Sequence, residues 1–146
     1  MELRIATTDD ISFVSRNLRE SDKKEIWASH RRLPQDLLLL QFESFCAADD
    51  RPFCLFGCNS EQNIGVPWLL ATDEINFHST FFLRQSRRIL ALWLTNYEIL
   101  TNYVHTENVD SINWLKWLGF EFYETKEMNG EAFIRFEKRC QICAIR

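Results

Sequence analysis

The sequence predicts a single α+β domain in which helices flank a mixed central sheet. A chain of 146 residues, 46% hydrophobic and 14% aromatic, is long and apolar enough to bury one substantial core. Its apolar residues alternate in some segments and recur at helical spacing in others, in the order β-α-α-α-β-β-β-α-β-α-β-β. We therefore expect residues 1–146 to form one domain, with residues 141–146 as a tail.

The amino-terminal part is predicted to form a strand followed by helices. Glu2–Ala6 alternates polar and apolar residues, as a half-buried strand does. Thr7–Asp10 offers side chains that cap a helix running to about Leu18. Ser21–Trp27 is expected to form a short second helix, because polar and acidic residues open it.

A proline and several strand-forming residues mark the next elements. Pro34 suits the first turn of a third helix, Gln35–Phe45. Phe45–Ala48 and Pro52–Cys58 are predicted as neighbouring strands joined by a tight turn. Val66–Thr72 is strongly apolar and is predicted as a central strand, although its second residue is a proline that cannot donate a ladder hydrogen bond.

The longest helix is predicted over Phe77–Tyr97, and a short strand at Asn102–His105 follows it. Arg84, Arg87 and Arg88 fall away from the apolar face of this helix and are expected at its solvent side. The apolar face is predicted to consist of Phe81, Phe82, Ile89, Leu92 and Trp93.

The carboxyl-terminal part is predicted to contain a helix and a hairpin. Val109–Leu118 forms the helix, which Gly119 ends by adopting a left-handed conformation. Glu121–Met128 and Ala132–Lys138 form the strands of the hairpin, because Asn129-Gly130 favours a two-residue turn between them.

Charge and hydropathy argue against two classes of function. The chain carries 17 basic and 21 acidic residues, a formal net charge of -4, whereas nucleic-acid binding usually requires a concentrated basic surface. We therefore expect no nucleic-acid partner. No apolar run approaches the roughly 18 residues of a membrane span, and the first residues lack a signal-peptide pattern. A cytosolic protein is expected.

The five cysteines leave two alternatives open. Cys54 and Cys58, together with Cys140 and Cys143, have spacings that a zinc ion can use, which would make the chain a zinc-stabilised interaction domain. The apolar surroundings of Cys46, Cys54 and Cys58 favour thiols that pack as small hydrophobic side chains. We adopt the second alternative and expect no metal.

One segment carries a specific pattern of spacings. Asn108 is followed by Ser111, Trp114, Gly119 and Phe120. The asparagine caps a helix, the small residue permits close approach, the aromatic residue packs on the core, and the glycine turns the chain into the next strand. With the order of elements, this pattern resembles the GNAT (Gcn5-related N-acetyltransferase) family along nearly the whole chain.

The resemblance implies a site for acetyl-CoA. In the family the fourth strand separates from the fifth, and its free backbone groups hold the pantetheine arm of the cofactor. Here those groups would belong to Leu70, Ala71 and Thr72. Asn108 and Ser111 would lie beside the cofactor as well.

The phosphate loop departs from the family pattern that the resemblance implies. Gln85 opens the pattern, but Arg88 and Leu90 stand where the family has glycine or another small residue. The alternative placement at Asp73–Ser79 also lacks glycine, and its acids would repel a pyrophosphate. The side chains of Arg87 and Arg88 can bind phosphate by charge, so the sequence leaves the binding of acetyl-CoA open.

The catalytic residues depart from the pattern too. Many family members have a tyrosine acid at the position that Leu115 occupies here. Asp73, His105 and Glu107 are the remaining candidates for a base, because the resemblance places them at the ends of adjacent strands where a substrate groove opens.

A second similarity concerns the source of the chain. Trp68–Asp73 leading into a helix, and Asn102–Val104 before Asn108, are similar to small internal virion proteins of T7-like phages. This implies a protein of the infected bacterial cytoplasm, packaged in the virion or bound to a virion or host protein. Two functions follow: a GNAT-like binding protein without catalysis, which we favour, and an active N-acetyltransferase that uses acetyl-CoA.

Overall fold

The structure, a computed structural model, describes residues 1–30 and 44–140. Those residues form seven strands and four α-helices. The strands are β1 Glu2–Ile5, β2 Phe45–Ala48, β3 Pro52–Glu61, β4 Ile64–Ala71, β5 Ile99–His105, β6 Glu121–Met128 and β7 Glu131–Arg139. The helices are α1 Thr8–Arg16, α2 Glu20–His30, α3 Ser79–Asn96 and α4 Val109–Trp117, with a 3₁₀ helix at Asp73–His78 directly before α3.

The strands form one mixed sheet in the order β1-β2-β3-β4-β5-β7-β6. The pairing of β4 with β5 is parallel, and β5-β7 and β7-β6 are antiparallel. The predicted α+β class with a mixed central sheet is therefore confirmed. The third predicted helix, Gln35–Phe45, lies outside the described residues up to position 43, and Phe45 itself begins β2. None of the helices in the described part combines the length and apolar character needed to cross a membrane.

By its internal contacts the chain divides into two compact units. The first comprises Met1–Gly57 and Trp68–Ser79. Its core is built from α1, α2, β2 and β3, and Trp68 and Leu70 of β4 pack against it. The buried core residues are Val14, Leu18, Ile26, Cys46, Ala48 and Leu55.

The start of α1 shows how the sequence fixes a helix boundary. The Thr7 hydroxyl accepts a hydrogen bond from the Asp10 amide at 3.1 Å, and the Asp10 carboxylate accepts one from the Thr7 amide at 2.9 Å. This reciprocal arrangement satisfies amides that the first helical turn leaves open. The predicted cap is confirmed.

The second unit comprises Cys58–Pro67 and the chain from Thr80 onward. Its core joins α3 and α4 to β5, β6 and β7, with Leu90, Leu100 and Leu115 among its buried residues. The predicted apolar face of α3 is partly wrong, since Leu92 is 61% exposed. At about 100° per residue, Leu92 lies roughly 200° around the helix from the buried Leu90, on the opposite side.

Left-handed residues form three turns of the described chain, and all three lie where the sequence predicts a turn or a loop: after α4, between β6 and β7, and within residues 59–63. Asn129 and Gly130 have φ of 54° and 79°, as the β6-β7 hairpin requires. Gly119 has φ of 91° and ends α4. Gln62, at φ 56°, forms the turn between β3 and β4, so β3 continues to Glu61 instead of ending at Cys58.

The carboxylate of Asp22 joins two elements of the first unit. It is 1% exposed, accepts the Ala71 amide at 2.9 Å, and receives two hydrogen bonds of 3.0 Å from the Arg19 guanidinium. We expect Asp22→Asn to lower the free energy of unfolding by about 3 kcal/mol, because it removes the negative charge from a largely buried ion pair. Urea unfolding measures this loss.

The matched control is Glu20→Gln, which removes an exposed carboxylate at the start of the same helix. We expect it to change the free energy of unfolding by less than about 0.5 kcal/mol. Equal effects of the two substitutions would contradict the role of Asp22.

Candidate functional site

Strands β4 and β5 share only a short stretch of ladder. The pairing joins Ile64 to Ile99 and Gly65 to Leu100, and within the described residues it extends no further. Gly65 is needed at this junction, because a Cβ there would lie 2.7 Å from the Leu100 side chain and 2.8 Å from Tyr97. The separation that the family resemblance implies thus begins directly after Gly65.

The remaining backbone of β4 has one edge that faces away from β3. The Thr72 amide donates to the Phe53 carbonyl at 3.0 Å, so Thr72 turns towards β3. Because successive residues of a strand alternate in direction, the backbone groups of residues 67, 69 and 71 turn the other way. Pro67 is tolerated there because that edge needs no ladder amide.

Side chains and a neighbouring segment occupy most of this edge. The Asn102 amide donates to the Pro67 carbonyl at 2.9 Å, while its oxygen accepts from the Tyr103 amide at 2.8 Å. Farther along, Asp22 accepts the Ala71 amide at 2.9 Å, and the Arg19 amide donates to the Ala71 carbonyl at 2.8 Å.

These bonds change which residues can hold an extended ligand. Ala71 has both its amide and its carbonyl paired, and the Thr72 amide is bound to Phe53. By the same alternation Leu70 faces β3. Among the three residues expected to hold pantetheine, none therefore presents a free amide on the open edge. Within the described chain, the backbone groups of this edge that can still bind an extended ligand are the amide and carbonyl of Leu69.

The two expected placements of a phosphate loop also differ from a glycine-rich turn. Gln85, half-buried, lies inside α3 together with Arg87 and Arg88, where helical hydrogen bonds already use the backbone amides. The connection from β4 to α3 is the 3₁₀ helix, in which Asp73 is exposed and Glu74 pairs with Arg51 at 3.3 Å. At this expected placement the exposed carboxylate of Asp73 is unfavourable for an anion, whereas the charge of Glu74 is paired with Arg51.

Three arginines of α3 border an open groove of about 470 Å³. Arg84, Arg87 and Arg88 are exposed, as expected. The Arg87 guanidinium lies 4.0 Å from the centre of the Trp117 ring, a close cation–π contact. Trp117 is 42% exposed. The groove is lined by Thr80, Leu83, Arg84, Arg87, Arg88 and Trp117.

Two of the three candidate bases lie together. His105 is 3% exposed, and its Nε2 is 3.0 Å from the Glu131 carboxylate. A carboxylate oxygen of Glu107 joins these atoms, and all three ligand atoms lie within 4.8 Å of one another. Asp73 belongs to the other compact unit and does not take part in this cluster. Leu115 is 4% exposed and contributes to the core.

The sequence did not single out Glu131. Its position follows from the antiparallel register of β5 and β7, in which His105 lies opposite Phe133. The turn that follows His105, closed by the hydrogen bond from the Asn108 amide to the His105 carbonyl, brings Glu107 to the same place. The sequence signal was limited to His105 and Glu107 at the end of a predicted strand.

The motif residues of α4 support the helix and its packing. Asn108 is 1% exposed and its side chain accepts the Ser111 amide at 3.3 Å, so the predicted cap is confirmed. The Trp114 indole donates to the Ser86 hydroxyl at 3.3 Å and packs on Phe82 with ring centres 5.3 Å apart. Cofactor contacts of Asn108 and Ser111 stay predictions.

The geometry of β3 excludes the zinc site of four cysteines. Cys54 and Cys58 lie four residues apart in one strand, which separates their Cα atoms by about 13 Å. That is too far for two thiolates to bind one ion at roughly 2.3 Å each. Burial raises the pKa of the Cys58 thiol to about 11 and that of Cys54 further, so both thiols stay protonated. Cys143 lies outside the described residues.

The contribution of the hydrogen bond from Asn102 to Pro67 to the stability of the protein can be measured by substitution. We expect Asn102→Ala to lower the free energy of unfolding by about 1–2 kcal/mol, because the carbonyl of Pro67 and the amide of Tyr103 both lose a partner. Chemical unfolding measures the change. Asn113→Ala on the exposed side of α4 is the control, and an equal effect there would contradict this interpretation.

Known structures share this architecture. The chain matches an aminoglycoside acetyltransferase AAC(6')-Ib in complex with coenzyme A and kanamycin at a TM-score of 0.69 and 12% identity, covering 98% of this chain and 96% of that one. A phosphinothricin N-acetyltransferase matches at 0.68 and 12%, covering 96% and 98%. A spermidine N-acetyltransferase chimera from Vibrio cholerae and a second source matches at 0.69 and 16%, covering 99% and 98%.

Sequence comparison adds no closer assignment. No family model matches the chain, and no curated protein is significantly similar to it. At these identities the structural similarity establishes the fold. The strand order and the order of elements are those of the GNAT acetyltransferases, so the chain has the GNAT fold.

Proposed function

We propose that this acetyltransferase-like protein binds a protein partner and does not transfer acetyl groups from acetyl-CoA. The main evidence against acetyl-CoA binding is the connection from β4 to α3, where Asp73 and Glu74 lie within a 3₁₀ helix. A pyrophosphate needs amides at a helix start and a favourable local charge. The exposed carboxylate of Asp73 and the absence of glycine at residues 73–78 disfavour it, while Glu74 is paired with Arg51.

The edge of β4 that faces away from β3 also disfavours binding of acetyl-CoA. A pantetheine arm binds along several backbone groups of a strand in the manner of an added strand, as the resemblance implies. Here the Asn102 side chain donates a hydrogen bond to the Pro67 carbonyl. The Ala71 amide donates to Asp22, and the Ala71 carbonyl accepts from the Arg19 amide. A cofactor would have to displace bonds from a buried, charge-paired aspartate, which is costly.

The arginine groove of α3 is the surface that we assign to the partner. Arg84, Arg87 and Arg88 stand at helical spacings of three and four residues, so their charges lie side by side. Within the described chain these three form no ion pair. The arginines that do form ion pairs are Arg4, Arg19, Arg51, Arg135 and Arg139.

The chemistry of the groove defines the partner's contact segment. Three neighbouring cations repel one another, and carboxylates from a partner would offset that repulsion while forming charge-assisted hydrogen bonds. The exposed part of Trp117 offers apolar surface beside them. An acidic segment with an apolar residue therefore fits best. The similarity of Trp68–Asp73 to phage virion proteins supports the view that this acidic segment belongs to a virion or host protein in the infected bacterial cytoplasm.

One observation favours the alternative, an active N-acetyltransferase. The ladder between β4 and β5 stops at Gly65, and Leu69 keeps an open amide and carbonyl. The similar aminoglycoside acetyltransferase is a complex with coenzyme A. In that case His105 or Glu107 would serve as the base for an amine substrate.

Titration calorimetry with acetyl-CoA distinguishes the two functions. We expect no binding heat and no rise in the melting temperature at about 1 mM acetyl-CoA, because ligand stabilises the native state only in proportion to its occupancy. Saturable binding accompanied by acetylation of an amine would overturn the proposal and establish the alternative.

Charge reversal tests the assigned surface. A synthetic acidic peptide of glutamates and leucines serves as the probe, measured by fluorescence anisotropy. We expect the wild-type protein to bind it, and Arg87→Glu with Arg88→Glu to weaken binding at least about tenfold, since each lost ion pair also becomes a repulsion.

Arg16→Glu is the matched control for the peptide experiment, because Arg16 is exposed on α1 in the other unit. We expect it to retain most of the affinity. Equal weakening by this control would show that overall charge, and not the groove, attracts the peptide.

A further inference from the structure

We propose that His105, Glu107 and Glu131 bind a first-row divalent cation such as Mn²⁺ or Zn²⁺. An imidazole nitrogen and two carboxylate oxygens, one from each residue, lie within 4.8 Å of one another. Ligands of one such ion lie about 2.0–2.2 Å from it, hence up to about 4.4 Å from each other. Small rotations of the two glutamates bring the three atoms into that range.

The sheet itself gathers the three ligands. His105 ends β5 and Glu131 begins β7, and the two strands are antiparallel with His105 opposite Phe133. The ladder ends at His105, and the chain turns at Thr106 and Glu107. The turn brings the Glu107 carboxylate to within 4.8 Å of the His105 and Glu131 ligand atoms. All three belong to the second compact unit.

Backbone hydrogen bonds hold the segment that carries Glu107. The Thr106 amide donates to the Ala132 carbonyl at 3.1 Å, and the Asn108 amide donates to the His105 carbonyl at 2.9 Å. These bonds fix the turn between β5 and α4 on both sides of Glu107. A preorganised turn lowers the entropy that a cation site must lose on binding.

Charge supplies the second argument. Glu107 in the turn and Glu131 at the start of β7 place two carboxylates close together, and like charges at this separation repel each other. Within the described residues, His105 is the ion-pair partner of Glu131, and no lysine or arginine pairs with either glutamate. Lys126, on the neighbouring strand, directs its ammonium at the Tyr103 ring, 4.8 Å from its centre. A divalent cation would neutralise both carboxylates at once.

The donor set selects the kind of cation. One imidazole and two carboxylates are suited to manganese, iron and zinc, whereas calcium and magnesium prefer oxygen alone. Three protein ligands leave coordination positions for water. This inference is independent of acetyl-CoA binding, because it concerns residues at the β5-β7 end of the sheet and does not require the open edge of β4.

Mn²⁺ is the probe that best separates this cluster from the cysteines, because manganese binds carboxylate and imidazole in preference to thiolate. Electron paramagnetic resonance of the free ion measures binding to the whole protein. We expect one saturable site. Glu107→Gln and Glu131→Gln each remove one charged ligand from a side chain that is not buried, and each should weaken Mn²⁺ binding at least about tenfold.

Asp110→Asn is the control, since it removes an exposed carboxylate from the first turn of α4 without touching the cluster. It should leave the affinity for Mn²⁺ within about twofold, as expected for an exposed charge that is not a ligand.

In the wild-type protein, Mn²⁺ should broaden the amide resonances of Thr106 and Ala132 at lower concentrations than those of other residues. Absence of saturable Mn²⁺ binding at about 1 mM, or equal weakening by all three substitutions, would overturn the proposal.

Discussion

The structure depends on how β4 satisfies its backbone after it leaves β5. A strand that parts from its neighbour exposes amides and carbonyls, and these groups need partners when water is excluded. The Asn102 side chain meets this need at Pro67, and Asp22 with the Arg19 amide meets it at Ala71. The separation of the strands is thus retained while most of the edge that could bind a ligand is occupied.

The same constraint explains why the GNAT fold does not by itself assign acetyl transfer here. The fold needs a split between two strands, whereas the chemistry needs free backbone groups and a positive helix entry. Asp73 adds an exposed negative charge at that entry, beside the pair of Glu74 with Arg51. Leu115 lies in the core where the resemblance implies a tyrosine. In the second unit, the exposed side chains of Arg84, Arg87 and Arg88 border the same groove as Trp117.

The cluster at the end of β5 shows that the chemical role proposed for His105 and Glu107 depends on the residues around them. In the sequence, His105 and Glu107 are candidates for a base because of their place after a strand. In the structure they lie close to Glu131, so that two carboxylates and an imidazole form the proposed ligand set. The register of β5 with β7 makes this difference.

By itself, the sequence determined the features that depend on local chemistry. The Thr7 cap, the Asn129-Gly130 turn, the left-handed Gly119 and the order of strands and helices in the described chain follow from nearby residues. Tertiary structure decided the rest: the role of Asn102, the burial of Asp22, the solvent side of Leu92 and the approach of Glu131 to His105. The contacts of Asn102, Asp22 and Glu131 join segments distant in the chain, and the side of α3 that is buried depends on the elements packed against it. Strand register and burial, which no local pattern specifies, therefore placed these residues.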